Sequence, residues 1–274
     1  MVRTVLRATV ATVVVVMAAG TGCGDAASAS DASATATGAG DSSGGDDAAS
    51  SGDSTETGQG TVEPPPSACA EPTSVTAAPE TIGETIDFIN ALPHPVTLDC
   101  FLQQLERPVR LNATTSTVSL QPALGERSPR VFMFYGDLIM SVAIDGEPGT
   151  HLLEFGELVA PTKSIKGELE FPVTDALLPS AATERVFDEE SGTTCRICHA
   201  GESEAPEYDF GFASDALAFR DIEEVSLDAL QTEFETCAAS DEPARCVRLT
   251  ALLGFGVVEP AQFPEALQTI YDYD

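Results

Sequence analysis

Basic residues are scarce. The 274-residue chain has 13 Lys and Arg against 44 Asp and Glu, a formal net charge of −31. Nucleic-acid binding needs clustered basic side chains that displace counterions from phosphates, so no nucleic-acid partner is expected. Adsorption to an anionic lipid surface through a basic patch is excluded on the same ground. A soluble partner would be favoured if it brought a basic docking face. Acidic runs also keep an exported protein soluble with no partner at all. Catalytic signatures are missing too. There is no phosphate-binding glycine loop, no G-x-S-x-G elbow and no H-E-x-x-H. No pair of carboxylates is singled out by its spacing. Glu154, Glu157, Glu168 and Glu170 read as solvent-facing strand and loop positions.

The start, "MVRTVLRATVATVVVVMAAGTGC", has basic Arg3 and Arg7, an apolar run from Val10 to Ala19, and then Gly20, Thr21 and Gly22. This is the pattern of a secretory signal peptide over residues 1–22. The apolar run is shorter than the ~20 residues that span a bilayer. Cleavage directly before Cys23 resembles the lipobox of bacterial lipoproteins, with Gly20 where that family usually has Leu. The resemblance implies that Cys23 becomes the lipid-bearing N-terminus. The protein would be exported and held at the cell envelope, on the outer membrane or the periplasmic face. Its only membrane contact would be the lipid.

Residues 23–66 then form an acidic linker. Beyond Cys23, Val62 is its only aliphatic residue larger than Ala, and aromatic and basic residues are absent. Such a segment cannot offset its chain entropy by apolar burial.

One globular domain is expected over 67–274. Ile82, Ile86, Ile89 and Leu92 follow helical spacing, as do Leu98, Phe101, Leu102 and Leu105. "RVFMFYGDLIMSVAIDG", "HLLEFGELV" and "SIKGELEFPV" have strand texture with turns at Gly136-Asp137 and Asp145-Gly146. Alternation in "GELEF" suggests a strand with one wet face. Ser226, Pro243 and Gly254 punctuate a C-terminal helical hairpin. The fold class is therefore α+β: short N-terminal helices, an antiparallel β-meander or small sandwich, and a helical hairpin.

With Cys23 set aside, six of the seven cysteines remain. Cys237 and Cys246 flank the turn of the proposed hairpin and are disulfide candidates. Cys69 and Cys100 would tie the domain start to the second helix. Cys195 and Cys198 are left, in "TTCRICHAGE".

Cys195, Cys198 and His199 form C-x-x-C-H, which resembles the haem-attachment motif of c-type cytochromes. The resemblance covers these five residues alone. It implies covalent haem c, with thioethers from both cysteines and His199 as proximal iron ligand. No Met or His follows His199 in the chain. A sixth ligand would come from His94 or His151, or less readily from Met133 or Met140 in the strands, or the iron would stay five-coordinate. The same motif also admits a redox dithiol, part of a zinc site, or a structural cysteine pair. The acids before Cys195 would raise a thiol pKa, which disfavours the dithiol. The main expectation is an exported, lipid-anchored haem protein that carries electrons or senses a small ligand, with a basic redox partner as a candidate. The alternative is a disulfide-stabilised surface lipoprotein with a structural or binding role and no cofactor. An enzymatic role would rest on the haem alone.

Overall fold

The computed structural model describes residues 67–119, 121–146 and 149–272. The expected signal peptide, the lipobox-like Cys23 and the expected acidic linker lie outside these residues. None of the described helices is long and apolar enough to cross a membrane.

The fold is α+β. Helix α1 (Ile82–Ala91) starts where the Thr81 side chain accepts a hydrogen bond from the Glu84 N–H, satisfying one orphan donor of the first turn. It buries Ile82, Ile86 and Ile89. Helix α2 (Leu98–Gln103) is capped in the same way by Thr97.

Five strands then run consecutively and antiparallel: β1 (Val109–Thr114), β2 (Arg130–Tyr135), β3 (Leu138–Ala143), β4 (Leu152–Ala160) and β5 (Lys163–Glu170). Of the two forms expected, the meander is the one built. Gly136, at φ +54°, opens the two-residue turn between β2 and β3.

After α3 (Ala181–Val186) come a small hairpin of two-residue strands, β6 (Phe187–Asp188) and β7 (Gly192–Thr193), then the 3₁₀ turn Thr194–Ile197. Short strands β8 (Ser203–Glu204) and β9 (Phe212–Asp215) extend the sheet beyond β5. β10 (Leu217–Ala218), α4 (Leu227–Glu235), α5 (Pro243–Leu253), β11 (Val258–Pro260) and β12 (Gln268–Thr269) complete the chain. β11 pairs parallel to β1, so the sheet order is β11-β1-β2-β3-β4-β5-β9-β8. β10 and β12 form a separate parallel pair.

Strand alternation gives the sheet two different faces. Val131, Met133, Leu138, Met140, Val142, Leu153, Ile165 and Leu169 project into one core shared with α1, α2 and α5. Arg130, Phe132, Ile139, Ser141, Glu154, Ser164, Lys166 and Glu168 alternate with them and line a cavity on the other side. Chain segments from the C-terminal third close over that side, so the face read as wet from "GELEF" is covered at Glu168 but open at Glu170, which is exposed as expected.

Two disulfides staple the α-helical side. Cys69–Cys100 joins the domain start to α2, and Cys237–Cys246 joins the end of α4 to α5. Ser226 caps α4, accepting from the Ala229 N–H, and Pro243 opens α5, which ends at Gly254.

Candidate functional site

The C-x-x-C-H segment sits at a junction. Thr193, the last residue of β7, caps the 3₁₀ turn by accepting the Cys195 N–H at 3.2 Å. The Cys195 carbonyl accepts from the N–H groups of Cys198 and His199, at 3.1 and 2.9 Å. This tight turn places Cys195, Cys198 and His199 together on the wall of one cavity of about 230 Å³. Its floor is the β2–β5 face described above. Its cover is apolar and comes from far along the chain: Phe219, Phe263, Leu267, Ile270 and Tyr271. Phe132 on the floor meets the cover edge-on, its ring 5.0 Å from that of Phe263.

His199 is held firmly. Its Nδ1 lies 2.8 Å from the carbonyl oxygen of Asp215, at the end of β9. A carbonyl only accepts, so Nδ1 carries the proton and Nε2 keeps its lone pair. Burial, helped by the nearby Lys166 charge, pushes the imidazole pKa down to about 3. The ring is therefore neutral at any ordinary pH, the form in which imidazole binds a metal.

The two cysteines differ. Cys195 is a free thiol. Burial raises its pKa to about 11, against the opposing pull of Lys166, with Glu154 adding a smaller push upward. A thiol held protonated is a poor nucleophile, and the reactive-dithiol reading loses its chemistry here. The sequence attributes that rise to neighbouring acids; in the structure desolvation comes first. Cys198 is disulfide-bonded, and not to Cys195. The short strand β7 leads directly into the motif.

The other proposed ligands lie elsewhere. Met133 and Met140 are fully buried on the opposite face of the sheet. His94 faces the carbonyl oxygen of Val173 through Nδ1 at 3.2 Å, and its Nε2 is buried without a hydrogen bond. His151 lies 3.8 Å from Glu170. Among the described residues lining the cavity, His199 is the only imidazole, and no Met is present. No group of three or more His, Cys, Asp or Glu among the described residues is placed to hold a metal ion, so a zinc site gains no further ligands here.

Sequence reasoning missed the charged residues of the cavity. Glu154 and Glu168 line it, and are not solvent-facing: Glu154 is ion-paired with Arg130, and Glu168 with Arg185 at 2.6 Å. Glu157 is buried as well, accepting the Tyr208 hydroxyl and the Ile82 N–H. Lys166, also buried, was not singled out. A second, polar cleft of about 720 Å³ adjoins the motif, lined by Asp188, Glu189, Glu190, Glu202 and Glu204 and reached by His199. No protein-family model matches the chain, and no curated protein or solved structure matches it significantly.

Proposed function

We propose that this chain is an exported, lipid-anchored protein carrying one covalent haem c at Cys195, Cys198 and His199. The observation that carries the reading is the convergence of these three residues on one apolar cavity, with His199 neutral and aimed by Asp215. The donor chemistry fits. Nδ1 donation to a backbone carbonyl fixes the tautomer of a metal-binding histidine and raises its basicity. The phenylalanines of floor and cover would keep water from the group. Size is the tighter condition. At about 230 Å³ the cavity is below the roughly 300–1,000 Å³ usual for small-molecule sites. A porphyrin therefore needs the cover around Leu267 and Tyr271 to move outward. Attachment also needs a reduced Cys198, so it precedes or reverses the disulfide at that residue.

Bound haem would supply one-electron transfer or a site for a small ligand. With His199 as the only imidazole on the cavity wall and no Met there, the reading leans toward ligand sensing over electron transfer between two fixed states. The acidic cleft beside the motif would favour a basic face on any redox partner.

The test is direct. The mature protein purified from an exporting host should show a Soret band, and haem staining should survive denaturation. A colourless protein whose Cys195–Cys198 peptide has its unmodified mass ends the reading.

A second reading is favoured by the Cys198 disulfide and the cavity's small volume. It is a disulfide-stabilised surface lipoprotein that binds a small apolar molecule and has no cofactor.

A further inference from the structure

The charges around the cavity do not balance. Three carboxylates line it, and each has its own guanidinium. Glu154 pairs with Arg130, Glu168 with Arg185, and Glu223 with Arg220. Arg130 is saturated further by the hydroxyls of Ser119 and Ser141. Asp215, behind His199, is paired with Lys163. Lys166 stands apart. It is 8% exposed, lines the cavity from β5, and among the described residues has no carboxylate within ion-pair distance. Among those residues its ammonium makes one hydrogen bond, to Ser164 Oγ at 2.6 Å, and has two N–H groups to spare.

A buried ammonium without a counter-charge is unfavourable, and proteins rarely keep one. Here it shares the cavity with Phe132, Phe219 and Phe263 and with His199 and Cys195. An occupant suited to this site is apolar over most of its surface and carries a single negative charge. A phosphate dianion would bring one charge too many next to Glu154. A carboxylate monoanion restores neutrality and takes the two free N–H groups.

We propose that Lys166 is the seat for the carboxylate of an apolar ligand held in this cavity. In the haem reading, on which this form of the inference rests, that carboxylate is a propionate of the porphyrin. Without haem it is the head of a free apolar acid, such as a long-chain fatty acid.

The experiment separates the two sources. For colourless mature protein, the probes are the fluorescent polyene fatty acid cis-parinaric acid and its methyl ester. The acid should bind about tenfold or more tightly than the ester, the loss expected for a charge-assisted hydrogen bond. Lys166→Met should abolish that preference, and Lys166→Arg should keep it. For protein that carries haem, resonance Raman spectroscopy reads the propionate bending bands. These should shift in Lys166→Met and stay in place in Lys166→Arg. Acid and ester binding equally to the wild type, or propionate bands unmoved in Lys166→Met, would overturn the carboxylate seat. Colour in the wild type alone decides the haem reading, so failure of one reading is not mistaken for failure of the other. The acid-versus-ester comparison needs no variant, so a Lys166→Met chain that fails to fold leaves the test intact.

Discussion

His199 Nδ1 and the carbonyl oxygen of Asp215 are 2.8 Å apart, and this hydrogen bond, with that from the Asp215 N–H to the Ala200 carbonyl at 2.9 Å, joins the C-x-x-C-H segment to the end of β9. It also sets the direction of a pH effect in the cofactor-free protein. The folded imidazole has a pKa near 3, and an unfolded one about 6.5. Between those values the unfolded chain binds a proton that the folded chain does not. Stability therefore falls as pH drops from about 6.5 toward 3, by at most ~1.4 kcal/mol per pH unit from this group. His199→Gln, which can still donate to the Asp215 carbonyl, should flatten that limb. Urea midpoints measured from pH 7 to pH 4 in both proteins check it, and equal slopes would refute the assignment.

Lys166 and Cys195 predict opposing alkaline limbs. Burial lowers the Lys166 pKa to about 8, so stability from this group rises between pH 8 and roughly 10.4. Burial raises the Cys195 pKa to about 11, so stability from that group falls between roughly pH 8.5 and 11. In the wild type the two largely cancel. Lys166→Met should raise the melting temperature at pH 7, by removing an uncompensated buried charge worth up to about 3 kcal/mol. It should also uncover a steeper loss of stability above pH 9. Cys195→Ala should do the reverse at alkaline pH. Melting curves of the ligand-free proteins from pH 7 to 10.5 test both.

The elements easiest to read from the sequence are those whose signals are local. Thr81, Thr97 and Ser226 cap their own helices, and the apolar spacing of α1 and α2 matches the faces they bury. The two stapled cysteine pairs lie where helix positions bring them together. Alternation along β5 shows that Ser164, Lys166 and Glu168 share a face, but not what covers it. The cover is Phe219, Phe263 and Tyr271, each more than 50 residues further along the chain than Lys166. Water-facing and cavity-facing strands have the same period, so Glu154 and Glu168 read as solvated and Lys166 went unnoticed. The neutral state of His199 was likewise out of reach, because its partner is a backbone carbonyl rather than a side chain.

Arg248 predicts a long-range cost. Its guanidinium, buried on α5, donates to the carbonyls of Ala143 at 2.8 Å and Thr150 at 2.9 Å, and pairs with Asp99 on α2. One side chain thus ties α5 to α2 and to the end of β3. Asp99→Ala leaves that charge buried and unpaired, and should destabilise by about 3 kcal/mol. The low end of the usual range applies because the Asp99 side chain is 22% exposed. Asp99→Asn, which keeps an acceptor oxygen, should cost clearly less. Chemical denaturation measures both, and equal costs would show that the charge of Asp99 is irrelevant.

The two disulfides on the helical side should differ in worth, and the order follows from chain entropy. Cys69–Cys100 closes a span of 31 residues and Cys237–Cys246 one of 9. The loop-closure relation gives about 4 kcal/mol for the longer and about 2.5 kcal/mol for the shorter. Packing adds to the contrast. Cys100 is 2% exposed and lies in the core beside Phe101 and Leu102; Cys246 is buried as well, at 7%, but the turn between α4 and α5, residues 238–241, is exposed. The Cys69→Ser, Cys100→Ser pair should therefore lower the unfolding free energy more than the Cys237→Ser, Cys246→Ser pair. The second pair should act mainly on α4, which fully buries only Leu230 and is held against α5 by the clamp together with the Glu233–Arg245 ion pair. Hydrogen exchange should show protection lost across residues 227–237 while the β2–β5 amides keep theirs. Equal loss across the sheet would mean that the hairpin unfolds with the domain as a single unit and that the clamp has no local role.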